Sequence, residues 1–495
     1  MTTWLLGAGQ RLLQLLPITE TAPGDTSPYS ALSAMAIDPQ FISLEDVEDV
    51  AAIGGESGLD RDQRATLDRV RRSPQVDYHA VRGLKRQVQR RAFEHFLARE
   101  WTSGSARARV LRAFVAEQAW WLDDYALFRV LHARHDERAW MDWPAAVRDR
   151  HPEALAAARQ EHAVEVLYRQ YLQWLAGEQW ASARACAGEV ALFGDLPFMV
   201  SGDSADVWAR QDEFCLDYSV GTPPDLFSET GQDWGLPPYR WDIVAAGDFE
   251  WLRQRARRTS DLFDGCRVDH LVGFYRTFVR SREDGDASFT PEGEAAQLAL
   301  GEQVLAALAA PGLRVVAEDL GVVPDFVRAS LARLGIPGYK VMRWERRGDE
   351  SGQPFLDPAG YPAVAVATSG THDHEPMVVW WAEAPEDERT AVLEMPSVRA
   401  RLAEADVARA RTEPDLSPAL RAAIVEALIA SGADLLILPV QDVFGWSGRI
   451  NEPATVGDHN WTWRLPWPSD RLPAEPEAQA VSRQLHEWSS IHGRR

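Results

Sequence analysis

Apolar residues gather into seven short runs along the chain, at 12–17, 190–198, 265–271, 313–321, 339–344, 363–368 and 435–440. Each is bounded by turn residues and reads as a strand buried on both faces. Helical periodicity separates several of them, the signature of β-α units around a parallel sheet. The last crossover is the clearest. Ser417 caps it, Pro418 takes the first turn, Ile424, Leu428 and Ile429 make a stripe, and Gly432 closes it. A right-handed return to Leu435 follows.

The first two runs are separated by a long, charged and mainly helical stretch, 46–188. Within it Val164, Leu167, Tyr168, Tyr171, Leu172 and Leu175 fall at helical spacing, so these aromatics read as packing residues. A second helical block, rich in Ala, Glu and Arg, spans 376–416. The stretch 199–262 is different. Gly221-Thr222-Pro223-Pro224 and Gly231-Gln232-Asp233-Trp234-Gly235 punctuate it, and Phe227, Trp234, Tyr239 and Trp241 decorate it. So many large aromatics among turn residues predict a binding loop arching over a cleft.

Three of the apolar runs end in acids: Arg267-Val268-Asp269-His270, Ala317-Glu318-Asp319-Leu320-Gly321, and Ser369-Gly370-Thr371-His372-Asp373 after the run at 363–368. Each places a carboxylate at the C-terminal edge of a parallel strand, where barrel enzymes keep their chemistry. Such a trio suits glycosyl transfer, in which one carboxylate attacks a sugar carbon and a second protonates the departing oxygen. Residues i and i+2 of a strand share a face, so Arg267 projects beside Asp269 and favours its ionised form. A structural ion pair at the barrel rim is the alternative. Glu318 and Asp319 are adjacent, so only one of them can face the barrel axis. His372-Asp373-His374 also admits a metal reading, because His-x-His can present both imidazoles to one ion, and this makes a metal-dependent barrel hydrolase a competing function.

The net charge of -22, from 52 basic and 74 acidic residues, argues against a nucleic-acid or anionic-membrane partner. Twenty tryptophans favour carbohydrate mildly, since the C–H face of glucose is apolar. Cys186, Cys215 and Cys266 have neither disulfide nor zinc-ribbon spacing and read as reduced thiols of a cytoplasmic protein. No apolar run reaches membrane-spanning length, and residues 1–16 lack an export signal.

The three acidic runs, in this order, resemble the amylomaltase family, the 4-alpha-glucanotransferases that disproportionate maltooligosaccharides and starch chains. The resemblance continues through Ser27-Pro28-Tyr29, Asp124-Tyr125-Ala126-Leu127-Phe128, Gly194-Asp195-Leu196-Pro197, Asp203-Ser204-Ala205-Asp206 and Arg449-Ile450-Asn451 to Asn460-Trp461. It implies a (β/α)8 TIM-type barrel as one catalytic domain over 1–495. The insertions 46–188, 199–262 and 376–416 then fall between strands 2 and 3, 3 and 4, and 7 and 8. It further implies Asp269 as nucleophile, Glu318 as acid/base and Asp373 as the third carboxylate, which binds and distorts the reacting glucose. Arg267, His372, Tyr29, Asp203, Phe227, Gln232, Trp234 and Asn451 are implied substrate contacts, with no cofactor and with starch or glycogen chains as partners.

A retaining double displacement is expected, with the two carboxyls about 5 to 5.5 Å apart. Hydrolysis of α-glucans would use the same residues, and an inactive glucan-binding relative is the reading from another class. Departures from the family pattern are His374, Glu375 and Pro376 after the third acid, Asp38 where asparagine is usual, and Leu226 at an expected aromatic position. They bear on acceptor preference and donor length. An eight-stranded barrel also needs one strand more than the seven runs supply, so the opening strand is expected to be missing and this chain alone to be poorly stable or weakly active.

Overall fold

A computed structural model describes residues 1–224, 231–348, 354–453, 455 and 457–494. In chain order the strands are β1 (Leu12–Gln14), β2 (Ala191–Leu196), β3 (Tyr218–Thr222), β4 (Gln232–Leu236), β5 (Gly265–Val268) and β6 (Thr277–Ser281). They continue with β7 (Ala287–Thr290), β8 (Arg314–Ala317), β9 (Gly338–Val341), β10 (Ala365–Thr368) and β11 (Leu435–Leu436). The seven apolar runs supply β1, β2, β5, β8, β9, β10 and β11, which form one wholly parallel sheet in that order. Every crossover steps one place along the sheet in the same direction, so it curls as a TIM-type barrel does. Among the described residues β1 pairs only with β2 and β11 only with β10, which leaves the sheet open along that seam. A cavity of about 330 Å³ lies there, bordered by Leu12, Gln14, Tyr339 and Leu436, and it reaches Arg267 and His372.

Side chains that alternate along the strands fill the interior of the curl: Phe193, Val316, Tyr339, Val341 and Val366 pack as one cluster. Outside, β5 and β10 are buried along their whole length, as strands covered on both faces must be. Helices between 48 and 187 have caps that the sequence encodes. Asp60 and Gln63 make a capping box, Asp77 caps Tyr78–Phe96, and Ser105 caps Ala106–Arg134. The helix Ala163–Ala187 buries Leu167, Tyr168, Tyr171, Leu172 and Leu175 against Phe93 and Phe96, whereas Val164, in its first turn, is exposed.

Two expectations need correction. Pro418–Ile429 begins as predicted, with Ser417 accepting from the Leu420 N–H, but it ends at Ala430 rather than on Gly432. Gly432 instead permits a close approach of backbone, since a Cβ there would stand 2.4 Å from the Tyr361 carbonyl oxygen. The 199–262 stretch, read as a loop, contributes β3 and β4 to a four-stranded antiparallel sheet ordered β4-β3-β6-β7. Tyr239 and Trp241 belong to its packing, since Tyr239 is buried between Phe214 and Trp241, and Trp241 meets Phe274 edge-on. Gln232 and Trp234 share the inner face of β4.

Candidate active site

Parallel strands all end on one edge, so Asp195 from β2, Arg267 from β5, Asp269 just beyond it, Glu318 beyond β8 and His372-Asp373 beyond β10 meet there. Arg267 is the hub. Its side chain is 3% exposed, Nη1 donates to Asp195 Oδ2 at 2.7 Å, and Nη2 donates to Asp269 Oδ1 at 2.8 Å. The same Nη2 stands 3.9 Å from Glu318 Oε2, so one guanidinium nitrogen lies between two carboxylates. Burial opposes the charge on Arg267, but Asp195, Asp269, Tyr29 and Glu318 outweigh it and hold the guanidinium protonated.

Of Asp269, Glu318 and Asp373, Glu318 is the carboxyl whose environment favours the acid; burial also raises the pKa of Asp195, against the pull of Arg267. Burial first, and the neighbouring Asp269 charge second, push its pKa up to about 7 against the opposing pull of Arg267 and of two backbone N–H donors. Those donors are His270 N–H at 2.8 Å and Leu320 N–H at 3.0 Å. His270 takes a left-handed φ of 42°, a conformation a non-glycine residue holds only where its surroundings enforce it. Its ring sits 5.1 Å from Phe198 and 5.0 Å from Trp234, and burial lowers its pKa to about 4, leaving a neutral imidazole. Asp319 points elsewhere, accepting from the Tyr339 N–H at 2.7 Å.

Asp373 is held in the opposite state. Burial alone would raise its pKa, but His372, the Asn451 hydrogen bond and Arg267 together bring it below the ordinary carboxylate value. Asn451 Nδ2 donates to Oδ1 at 2.6 Å, and His372 Nε2 is 3.3 Å from Oδ2. The Tyr29 hydroxyl donates to Asp195 at 2.8 Å, accepts from Arg267 at 3.2 Å and is 3.2 Å from His372 Nε2. The rings of Tyr29, His372 and Trp461 pack mutually, with centroids 5.6 to 5.8 Å apart. His374 turns away from His372: its ring lies 4.3 Å from Trp344, and Nδ1 accepts from the Thr371 N–H. The two imidazoles therefore have different partners.

The structure thus brings together Asp269, Glu318, Asp373, Arg267, His372, Tyr29 and Asn451. Trp234 reaches the rim through His270 and donates from Nε1 to Gln232 Oε1 at 3.1 Å. Asp203 is engaged elsewhere, its oxygens accepting from the Trp140 N–H and contacting His132 Nε2 at 2.9 Å. Phe227 lies outside the described residues. Asp195, Trp461 and Arg449 lie in motifs of the family resemblance but are not among its implied substrate contacts; Arg449 Nη2 donates to the Asp373 carbonyl at 2.8 Å. Asp195 carries a related signal, a lone carboxylate near the C-terminal end of the apolar run at 190–198. Trp461 and Arg449 come from a non-strand segment, so no strand-end pattern marks them, only the family motifs Arg449-Ile450-Asn451 and Asn460-Trp461.

A family model described as 4-alpha-glucanotransferase matches residues 1–470. The 4-alpha-glucanotransferase of Synechocystis sp. is 34% identical over 506 residues, covering 99% of this chain and 90% of the relative. That of Thermus thermophilus is 34% identical over 510 residues, covering 98% and 92%. Among solved structures, an amylomaltase from Streptococcus agalactiae in complex with acarbose superposes with a TM-score of 0.82 at 27% identity, covering 100% of this chain and 94% of that one.

Proposed function

We infer the mechanism from one premise: the chain belongs to the 4-alpha-glucanotransferase family. It is an enzyme that transfers α-1,4-glucan segments from a donor to an acceptor chain. The observation that carries the mechanism is the unequal environment of two carboxyls around one guanidinium. Asp269, hydrogen-bonded to Arg267, is the nucleophile, and Glu318, with its pKa pushed up to about 7, delivers the proton to the leaving chain. The C1–O4 bond breaks as the Asp269–C1 bond forms, giving a covalent glucosyl intermediate. Esterified Asp269 no longer carries the charge that helps keep Glu318 protonated, so the Glu318 carboxylate becomes the better base. It then takes the proton from the 4-hydroxyl of the acceptor, which displaces Asp269 with net retention. Asp373, kept ionised by His372 and Asn451, accepts from the hydroxyls of the reacting glucose.

Maltooligosaccharides and starch or glycogen chains are the substrates in this reading, and the cytoplasm is where they are met. Gln232, Trp234 and Phe227 belong to the donor-chain contacts, and Asp203 supports them through His132 and Trp140. No helix among the described residues is long and apolar enough to cross a membrane. Incubation with maltotriose alone tests the reaction: free glucose with longer oligomers is expected, whereas maltose and glucose alone would make the enzyme a hydrolase. Asp269→Asn and Glu318→Gln should each lower the transfer rate by about three orders of magnitude or more with circular dichroism unchanged. Near-normal transfer by either variant would overturn its assignment.

A further inference from the structure

Away from the catalytic edge, a polar cavity of about 50 Å³ lies among three helices of the 46–188 insertion. Arg82, Lys85 and Arg86 reach it from Tyr78–Phe96, Arg129 from Ala106–Arg134, and Tyr168 and Arg169 from Ala163–Ala187. Its acidic wall residues are Glu20 and Asp38, so five cations face two anions in a chain whose net charge is -22. Both acids are already engaged. Glu20 accepts from Arg129 and from the Tyr125 hydroxyl, and Asp38 accepts from the Gln40 backbone and side chain and lies 3.5 Å from Arg82.

Most of the basic groups are engaged as well. Arg82 donates to the carbonyls of Ala22 and Asp25, Lys85 to those of Gln40 and Ile42, and Arg129 pairs with Glu20 and Glu137. Arg86 and Arg169 stand apart: among the described residues neither makes a hydrogen bond or an ion pair. Arg169 lies over the Tyr168 ring, at 5.7 Å, and among the described residues the Tyr168 hydroxyl makes no hydrogen bond. Burial and the nearby Arg129 charge pull the pKa of Arg169 down from its ordinary value, only partly offset by the Glu20 carboxylate, so a bound anion would further relieve the strain on its cationic form.

We propose that this cavity binds a phosphate group, either inorganic phosphate or the phosphate of a sugar monoester. Two guanidinium forks and a phenolic hydroxyl offer several divergent N–H and O–H donors, which suit an anion with three or four oxygens better than a monovalent halide. A water needs roughly 10 to 15 Å³ of such space, so the cavity has the room of several waters, enough for a compact oxyanion. Arg86 is exposed, so the site opens to solvent and an ester substituent can leave through that side.

Calorimetric titration of the full chain with sodium phosphate and with glucose 1-phosphate, at constant ionic strength set by sodium chloride, tests the proposal. A saturable isotherm is expected for at least one ligand, accompanied by a saturable rise in Tm. Arg169→Gln and Arg86→Gln should each weaken Kd by about tenfold or more. Tighter binding of glucose 1-phosphate would identify the ester as the occupant, and tighter binding of phosphate the free ion. No saturable binding of either ligand, or isotherms unchanged in the variants, would overturn it. If Arg169→Gln does not fold, Arg86→Gln on the exposed helix face decides alone.

Discussion

Asp195 Oδ2 accepts from Arg267 Nη1 at 2.7 Å while Nη2 of the same guanidinium meets Asp269, so Asp195 fixes the plane in which Arg267 addresses the nucleophile. Asp195→Asn keeps the shape and removes the charge. Removing one partner of a buried pair costs about 3–5 kcal/mol, and misplacing a catalytic group lowers the rate by about 100-fold. A lower Tm and a kcat reduced by that order, with KM for maltotriose changed less, are expected. An unaltered kcat would separate Asp195 from the chemistry.

Glu318 has to be protonated to act as the acid, so kcat/KM should fall as pH rises through about 7, and Glu318→Gln should abolish that limb along with most of the activity. The same shift has a thermodynamic consequence. A pKa raised in the folded state stabilises the fold fully below the unfolded value near 4.5, and that stabilisation is lost as pH rises through about 7. The change amounts to about 3 kcal/mol at most. Glu318→Gln should therefore be more stable than the parent at pH 8 and lose that advantage at pH 4, as followed by denaturant unfolding.

Asn451 holds Asp373 ionised through a 2.6 Å hydrogen bond. A depressed pKa protects the carboxylate until pH falls through it, so removing the donor lets protonation begin at higher pH. The pH-rate profile of Asn451→Ala should show its acidic limb displaced upward, with about a tenfold loss of kcat/KM. A uniform loss at every pH would contradict this role.

Trp234 touches the site through the edge of the His270 ring rather than through an acid. Trp234→Ala removes a stacking surface and opens a path for water, so amylose should suffer more than maltotriose and the hydrolysed fraction should rise. Equal damage to both substrates with unchanged products would make the residue purely structural.

His372 and His374 pack against different aromatics, His372 stacked on Tyr29 and His374 tilted against Trp344. Transfer activity should survive prolonged treatment with a strong chelator. Loss of activity that added zinc restores would revive the metal-dependent reading.

Much of the fold was written locally. The seven strands appear where apolar runs stop at turn residues, and the caps at Asp60, Asp77, Ser105 and Ser417 act within a single turn of backbone. Less legible was the 199–262 stretch. Its glycines suggested a loop because the partners of β3 are not all next to it: β6 pairs with it from some sixty residues away, as in the register of Tyr218 with Ser281. Gly221 reads as a turn residue, yet its lack of a Cβ lets the Gln232 carbonyl pass 1.8 Å from where that atom would stand.

What the sequence determined by itself was which acids stand at strand ends and that they share one edge, because parallel strands with apolar bodies leave their polar C-terminal residues no other place. It could not assign their protonation states. Asp269, Glu318 and Asp373 are alike as residues, and the difference comes from burial, from one guanidinium shared with Asp195, and from backbone donors aimed at Glu318. Apart from the Arg267–Asp269 contact and the Leu320 donor, those influences arise between residues dozens of positions apart, and their strength depends on distances of a few ångströms in a desolvated site. Tertiary structure alone sets such distances.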